Sequence, residues 1–288
     1  MSFSKYQVFL KAVELSNLTR AAEALGYTQS GISHIISSLE SEWGFPLFKR
    51  SKAGVSLTPE GLRVLPVIQE LANWDERLSQ TVTAIQGLEV GLIRVAAAIS
   101  VTIHWLPPAI KRFKDLHPGI EFELRNGDYP SCIRWAEEGQ VDFSISVPPE
   151  PGRLEVLPVK KDLLLPVLPK NHPLCAESVV SLARFAEEPF ILPGEGLRYG
   201  VGAIFNRAGI RPNIKFSSSS DYTTIAMVES ELGVSILPEL MLRGFEDRVA
   251  ILSFEESYFR PLSIILRSFS ESSPAAQSFI RFFKQTLL

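Results

Sequence analysis

Residues 18–61 read LTRAAEALGYTQSGISHIISSLESEWGFPLFKRSKAGVSLTPEG. From Arg20 to Leu25 the residues favour a short helix, and Gly26 ends it by taking up the left-handed conformation. Thr28 is placed to cap a second helix from about Gln29 to Glu42, which Gly44 stops. In that second helix Ile32, Ile35, Ile36 and Leu39 fall on one side. Gln29, Ser30, Ser33, His34 and Ser37 fall on another. Ala21, Ala22 and Ala24 give the first helix a small-residue face against which the second can pack closely. Short donors and acceptors on the N-terminal half of an exposed helix suit the reading of base edges in a major groove. Every soluble three-helix bundle also has a polar helix face, so this geometry alone leaves a DNA reader and a plain bundle equally open.

Working outward, residues 3–15 carry apolar side chains at helical spacing and supply the helix before the pair. Downstream, Phe45-Pro46-Leu47-Phe48 is an apolar anchor, and 49–57 reads as a short hairpin with a basic tip. Thr58-Pro59-Glu60 is a strong helix start: a cap, a proline in the first turn, then an acid. The helix it opens is expected to reach Gly87, kinked upstream of Pro66. Leu71, Trp74, Leu78, Val82 and Ile85 form a long apolar seam on it, which predicts a subunit contact.

Beyond Gly91, β-rich runs alternate with helical ones. Strands are expected at 92–98, 120–125, 141–147, 156–168, 189–192, 213–217, 234–237, 249–252 and 262–267. Helical patterns lie near 101–116, 130–138, 178–186, 197–208, 221–232 and 273–287. Such alternation predicts an α/β region with a largely parallel sheet.

The 288 residues are enough for two or three units, and 45% hydrophobic with 21% charged residues marks a globular chain. The net charge of −3 is unevenly spread. Residues 1–58 hold six cations against four acids, so a mildly basic head sits on an acidic body, as expected where one end meets phosphate. No apolar run is long enough for a membrane span, and the N-terminus lacks the pattern of a signal peptide. With only Cys132 and Cys175 there is no disulfide framework, and inert thiols are expected rather than a redox pair. The composition fits a cytoplasmic protein. His34, His104, His117 and His172 have no zinc-site spacing, there is no Gly-x-Ser-x-Gly elbow, and Gly194-Glu195-Gly196 is only a fragment of a dinucleotide fingerprint. No enzyme, catalytic residue, metal or cofactor is expected. The competing reading, a free-standing solute-binding protein, is disfavoured by the N-terminal 58 residues.

The order of residues in 18–61 resembles the N-terminal signature of the LysR-type transcriptional regulators. The resemblance lies in Ala21-Ala22, Thr28-Gln29-Ser30, Ser33 with Ile36, Leu39-Glu40, Pro46-Leu47-Phe48 with Arg50, and Leu57-Thr58-Pro59 with Gly61. A looser resemblance continues in order through Trp105-Leu106-Pro107-Pro108, Phe113, His117-Pro118, Asp142, 169–173, Gly233-Val234 and Leu237-Pro238. It implies an N-terminal winged helix-turn-helix (1–58), a linker and dimerisation helix (59–88) and an effector domain (89–288). That last domain would be two-lobed, α/β and similar to periplasmic binding proteins. Its first lobe would hold about 91–162 with 268–288 and its second about 163–267, hinged near 161–167 and 265–268.

The resemblance makes Gln29, Ser30, Ser33, His34 and Ser37 the groove-facing set, with Thr28 capping beside a phosphate and Arg50 and Lys52 on the wing. His34 stands where arginine is frequent in the family, and Ser16-Asn17 where Gly-Ser is common. Thr19 and Arg20 are either phosphate contacts or a cap and a surface charge. In the cleft it implies Ser100 and Thr102 as effector contacts, beside free helix N–H groups suited to an anionic metabolite; Ser100 could equally cap its helix. Strand ends add Asp128, Ser146 and Val147, and the Gly-rich turn 194–199 adds Gly196 and Leu197. The implied partners are double-stranded operator DNA, a small-molecule effector and further copies of the chain as homodimer or homotetramer. RNA polymerase is a candidate partner and a membrane is not.

Overall fold

The structure is a computed structural model and describes residues 5–51, 54–85, 90–194 and 200–287. The chain divides into two compact units: residues 1–88 together with 138–140, and the remainder.

In the first unit, α1 (Lys5–Leu15), α2 (Leu18–Leu25) and α3 (Gln29–Trp43) precede a hairpin of β1 (Phe48–Ser51) and β2 (Gly54–Leu57), followed by the long α4 (Pro59–Ile85). Local chemistry sets each boundary. The Asn17 side chain accepts from the Thr19 and Arg20 N–H groups, so the cap of α2 is Asn17, while Thr19 and Arg20 are exposed residues of its first turn. Thr28 Oγ1 accepts from Gly31 N at 3.1 Å, and Gly26 and Gly44 end α2 and α3 in the left-handed conformation. Thr58 Oγ1 caps α4 through Gly61 N at 2.9 Å and donates to the Pro46 carbonyl at 2.8 Å. One core joins Phe9, Ala21, Ala22, Ile32, Ile36, Leu39, Leu47 and Ile68. Ala24, expected on the packing face, is exposed: it lies two residues from Ala22, about 200° around the helix from it. Gly54 sits at φ +127°, and a Cβ there would come within 2.4 Å of the Ser16 carbonyl, where Val55 N–H docks the hairpin on the α1–α2 turn. α4 runs continuously through Pro66, and the side chain of Ile85 lies outside those described.

The second unit opens with β3 (Gly91–Ala97), α5 (Ile99–His104), α6 (Leu106–Leu116), β4 (Ile120–Asn126), α7 (Tyr129–Glu137) and β5 (Phe143–Ser146). The long β6 (Glu155–Leu168) leads to β7 (Val179–Val180), α8 (Leu182–Glu187), β8 (Phe190–Pro193), α9 (Val201–Ala208) and β9 (Ile214–Ser218). Then come α10 (Asp221–Glu229), β10 (Ser235–Pro238), α11 (Glu239–Leu242), β11 (Ala250–Ile251) and β12 (Ser253–Phe254). The long β13 (Tyr258–Leu266) and α12 (Pro274–Leu287) complete it.

The main sheet has the order β10-β6-β13-β5-β3-β4, with β11 beside β6. The expected largely parallel sheet is a mixed one. β3 is parallel to β4 and β5, whereas β13 runs antiparallel to both β5 and β6, and β6 is antiparallel to β10 and β11. The reason is that β6 and β13 cross between two cores in opposite directions, so each presents an antiparallel edge to its neighbours.

Ile93, Val95, Phe113, Phe143, Ile145, Leu262, Ile264, Leu266 and Phe279 build the core of one lobe. Phe185, Phe190, Ile204, Phe205, Val234 and Ile236 build that of the other, with Ile191, Ile225, Val228 and Met241 on a second face. Tyr258 packs with the second lobe and Leu262 with the first, so β13 crosses at 259–261 and not at the expected 265–268. The apolar run 262–267 signalled a strand, but it is the strand's earlier, mixed half that passes from one core to the other.

Candidate DNA-reading helix and effector cleft

On α3 the buried face is Ile32, Ile36 and Leu39, while Gln29, Ser30, His34 and Ser37 are exposed and Ser33 is half-buried. Gln29 Nε2 donates to Ser33 Oγ at 3.1 Å, and the Thr28 and Ser30 hydroxyls are 3.1 Å apart, so these side chains form a connected polar strip. His34 and Ser37 line a groove of about 480 Å³ with Ser38, Ser41 and Glu42. Arg50 is an exposed residue of β1, and Lys52 lies outside the described residues. Glu40, named in the sequence only as part of the family signature and given no role, ties the wing to α3: Oε1 accepts from Leu47 N at 2.7 Å and Phe48 N at 3.2 Å.

In the second unit the site forms where β6 and β13 cross. Arg260 and Asp162 are register partners on the two strands, and both are buried. Arg260 Nε donates to Asp162 Oδ2 at 2.8 Å and Nη2 approaches the same oxygen at 2.6 Å. Nη2 also donates to Ser100 Oγ, and Nη1 to Tyr129 Oη, each at 2.7 Å. Asp162 Oδ1 accepts the Leu240 N–H at 3.1 Å. Burial works against the Arg260 charge, but Tyr129 and Asp162 more than offset it and raise its proton affinity.

Ser100 is buried here, and of the two roles left open for it the helix cap is not the one it takes. α5 begins at Ile99 with Ala98 as its capping residue and no side-chain cap, so the expected start at Val101-Thr102 is two to three residues late. Thr102 donates back to the Ala98 carbonyl at 3.3 Å. Asp128 is exposed, its Oδ1 accepting from Ser131 N at 2.8 Å at the start of α7. Ser146 is fully buried, and its Oγ makes no hydrogen bond among the described residues; the same holds for Ser144. Val147 packs against the first lobe's core. Gly196 and Leu197 lie outside the described residues.

Asp162, Tyr129 and Arg260 escaped the sequence reading. Arg260 is the one charge in the otherwise apolar strand YFRPLSIIL, whereas Asp162 is the last of three successive charges in EVLPVKKDLLLPVL and Tyr129 opens α7, so neither of these two stood out.

Asp221, the first residue of α10, feels the same cluster. Burial pushes its carboxyl above the ordinary value of 3.8, and attraction to Arg260 opposes the shift in part. The folded state therefore holds this proton more tightly than the unfolded chain, and stability is lost as pH rises through the window above 3.8. Asp221→Asn is expected to melt a few degrees above the parent at neutral pH, with the two curves converging in acid. Melting temperature against pH for both proteins checks this, and parallel curves would remove the assignment.

Comparison with known proteins places the two units. Residues 3–62 match the model of the bacterial regulatory helix-turn-helix protein of the lysR family, and 86–288 match the LysR substrate binding domain. The uncharacterized HTH-type transcriptional regulator YvbU of Bacillus subtilis is 29% identical over 99% of this chain and 98% of its own length. Among solved structures, the effector binding domain of QuiR in complex with shikimate is 25% identical. It covers 68% of this chain and 97% of its own, with a TM-score of 0.63. Full-length CbnR in complex with its target DNA matches 100% of both chains at a TM-score of 0.71; at 19% identity it shows the fold alone. No described helix is long and apolar enough to cross a membrane. The chain thus belongs to the LysR family: it is a DNA-binding transcription regulator that couples an N-terminal helix-turn-helix to a C-terminal effector-binding domain.

Proposed function

We propose that α3 reads operator DNA through Gln29, Ser30, Ser33, His34 and Ser37, with Thr19, Arg20 and Thr28 near phosphate and Arg50 and Lys52 on the wing. The observation that carries this reading is the polar strip on the exposed face of α3, set directly over a fully packed Ile32–Ile36–Leu39 face. The helix is rigidly held while its short donors and acceptors stay accessible. The working division is 1–58 for DNA binding, 59–88 for linkage and 89–288 for the effector. Leu71, Trp74, Leu78 and Val82 are exposed along α4, which supports subunit pairing through this helix and a dimer or dimer of dimers on a partly palindromic operator. The protein works in the cytoplasm, is not an enzyme, and has RNA polymerase as a candidate partner.

The effector enters the cleft of the second unit at Ser100, Thr102, Ser146 and Val147, with Asp128 at its rim and Gly196 and Leu197 from the other lobe. QuiR's effector domain in complex with shikimate supports a small metabolite in this place. By binding one lobe arrangement better than the other, the effector shifts their populations and so the spacing of the DNA-binding heads.

The test is binding to the DNA upstream of the protein's own coding region, at several salt concentrations, against a scrambled control. Site-selective binding with a steep salt slope is expected. Arg50→Ala should weaken binding to all sequences and flatten the log–log salt slope by about 1. Gln29→Ala or Ser33→Ala should cost about 1–3 kcal/mol on the preferred site alone. An unchanged slope in Arg50→Ala would remove it from the wing contact.

A further inference from the structure

We infer that Glu40 is a positioning residue for the DNA contact of the wing: its carboxylate fixes the direction in which β1 leaves α3, and so where Arg50 meets the backbone of a bound duplex. This rests on the reading of the β1–β2 hairpin as a DNA-contacting wing and adds a residue that acts on that contact without touching DNA.

Glu40 stands where a carboxylate is unfavourable twice over. It lies in the last turn of α3, at the negative end of the helix dipole, and no lysine or arginine stands in that turn. It also belongs to the unit that meets a polyanion. What offsets the cost is the use of one oxygen by two backbone donors. Glu40 is half-buried, and its Oε1 accepts from Leu47 N at 2.7 Å and from Phe48 N at 3.2 Å. Leu47 and Phe48 are themselves buried, so water is poorly placed to replace that acceptor. The side chain thus reaches across the loop 44–47 and pins the first residue of β1 to the helix it has just left.

The hairpin needs such ties. β1 and β2 have four residues each, and a two-stranded ribbon by itself is marginal in water. On its flank, Val55 N donates to the Ser16 carbonyl at 2.9 Å. At its base, the Leu47 carbonyl accepts from Thr58 N at 3.0 Å, and Thr58 Oγ1 donates to the Pro46 carbonyl at 2.8 Å. These bonds join the hairpin to the α1–α2 turn and to the start of α4. Glu40 joins it to α3, the helix that carries the base-reading strip. Arg50 is exposed and follows Phe48 by two residues, about 7 Å along the strand. Releasing the Phe48 peptide therefore shifts the guanidinium relative to α3, while Ile32, Ile36 and Leu39 keep the helix packed. A wing and a reading helix that meet one duplex must be held at a fixed separation, and this carboxylate holds them.

The experiment measures binding of the full chain to the DNA upstream of its own coding region and to a scrambled duplex, across a salt series. It compares the parent with Glu40→Ala, Glu40→Gln, Arg50→Ala and the double variant Glu40→Ala with Arg50→Ala. Melting curves set an assay temperature below the transition of every variant. Glu40→Ala is expected to bind both duplexes about tenfold more weakly, with the salt slope flatter by about 1, as in Arg50→Ala. The double variant should bind no more weakly than Arg50→Ala, because the contact that Glu40 positions is already gone. Glu40→Gln keeps an oxygen for the two N–H groups and should stay within about threefold of the parent. A residue that merely stabilised the fold would lower binding without changing the slope, and its loss would add to that of Arg50→Ala. Additive losses, an unchanged slope in Glu40→Ala, or a Glu40→Gln as weak as Glu40→Ala therefore overturn the inference. So does a loss confined to the upstream DNA, which would put the effect on base reading by α3. If Arg50→Ala itself binds like the parent, the wing reading falls and takes this role with it. A full Arg50 effect beside any of the other adverse outcomes overturns the positioning role alone.

Discussion

Arg260→Leu alone is expected to destabilise the effector unit by about 3–5 kcal/mol, because it leaves the Asp162 carboxylate buried with no cation. Arg260 and Asp162 are 3% and 6% exposed, so water cannot replace the lost partner. The same change strips the Ser100 and Tyr129 oxygens of a charged donor. Adding Asp162→Leu should recover most of the loss, since replacing both charges of a buried pair by apolar groups of similar volume is often neutral or better. Calorimetry on parent, single and double variants checks this non-additivity. If the single and double variants melt together, the pair contributes no coupling and Arg260 is held by its other contacts.

Phe279→Ala is the second large effect, at about 3–5 kcal/mol. Phe279 is fully buried on α12, and its ring meets Phe122 at 4.9 Å, Phe113 at 5.1 Å and Phe283 at 5.8 Å between centroids. Truncation removes the hub of an aromatic cluster that pins the last helix onto β3, β4 and β5 through Phe122, Phe143 and their neighbours. The surrounding residues come from several strands and helices of the sheet and cannot all collapse into the void. Tm of the effector unit should fall by roughly 10 °C. A drop of only one or two degrees would show that α12 repacks freely. Phe279→Leu should fall between parent and alanine.

The first unit was almost wholly legible in the sequence. Thr28, Gly26, Gly44 and Thr58 each act within a few residues of themselves, so the cap, the stop and the restart are local chemistry that a reader of residues can see. Helical spacing separated Ile32, Ile36 and Leu39 from Gln29, Ser30, His34 and Ser37 for the same reason. Ala24 was misplaced because small size marks several faces of a short helix alike. In the second unit the strands were found from apolar runs, but their direction was not: an apolar run reads the same in a parallel or an antiparallel neighbour. Strand ends pointed to Ser100 and Ser146, but nothing near Ser100 in sequence showed that its Oγ accepts from Arg260 and does not cap α5.

The sequence by itself determined the helix-turn-helix, its caps and wing, the long α4 and the alternation of strands and helices behind it, because these follow from periodicity and from contacts a few residues long. Only the tertiary structure decided which polar groups meet around Arg260. Arg260 and Asp162 are 98 residues apart and become partners through the antiparallel register of two crossing strands. Tyr129 is 131 residues from Arg260 and Ser100 is 160. A buried charge is tolerated only where the fold brings its counter-ion and hydrogen bonds to it, and that assembly is a property of register and burial rather than of any stretch of chain.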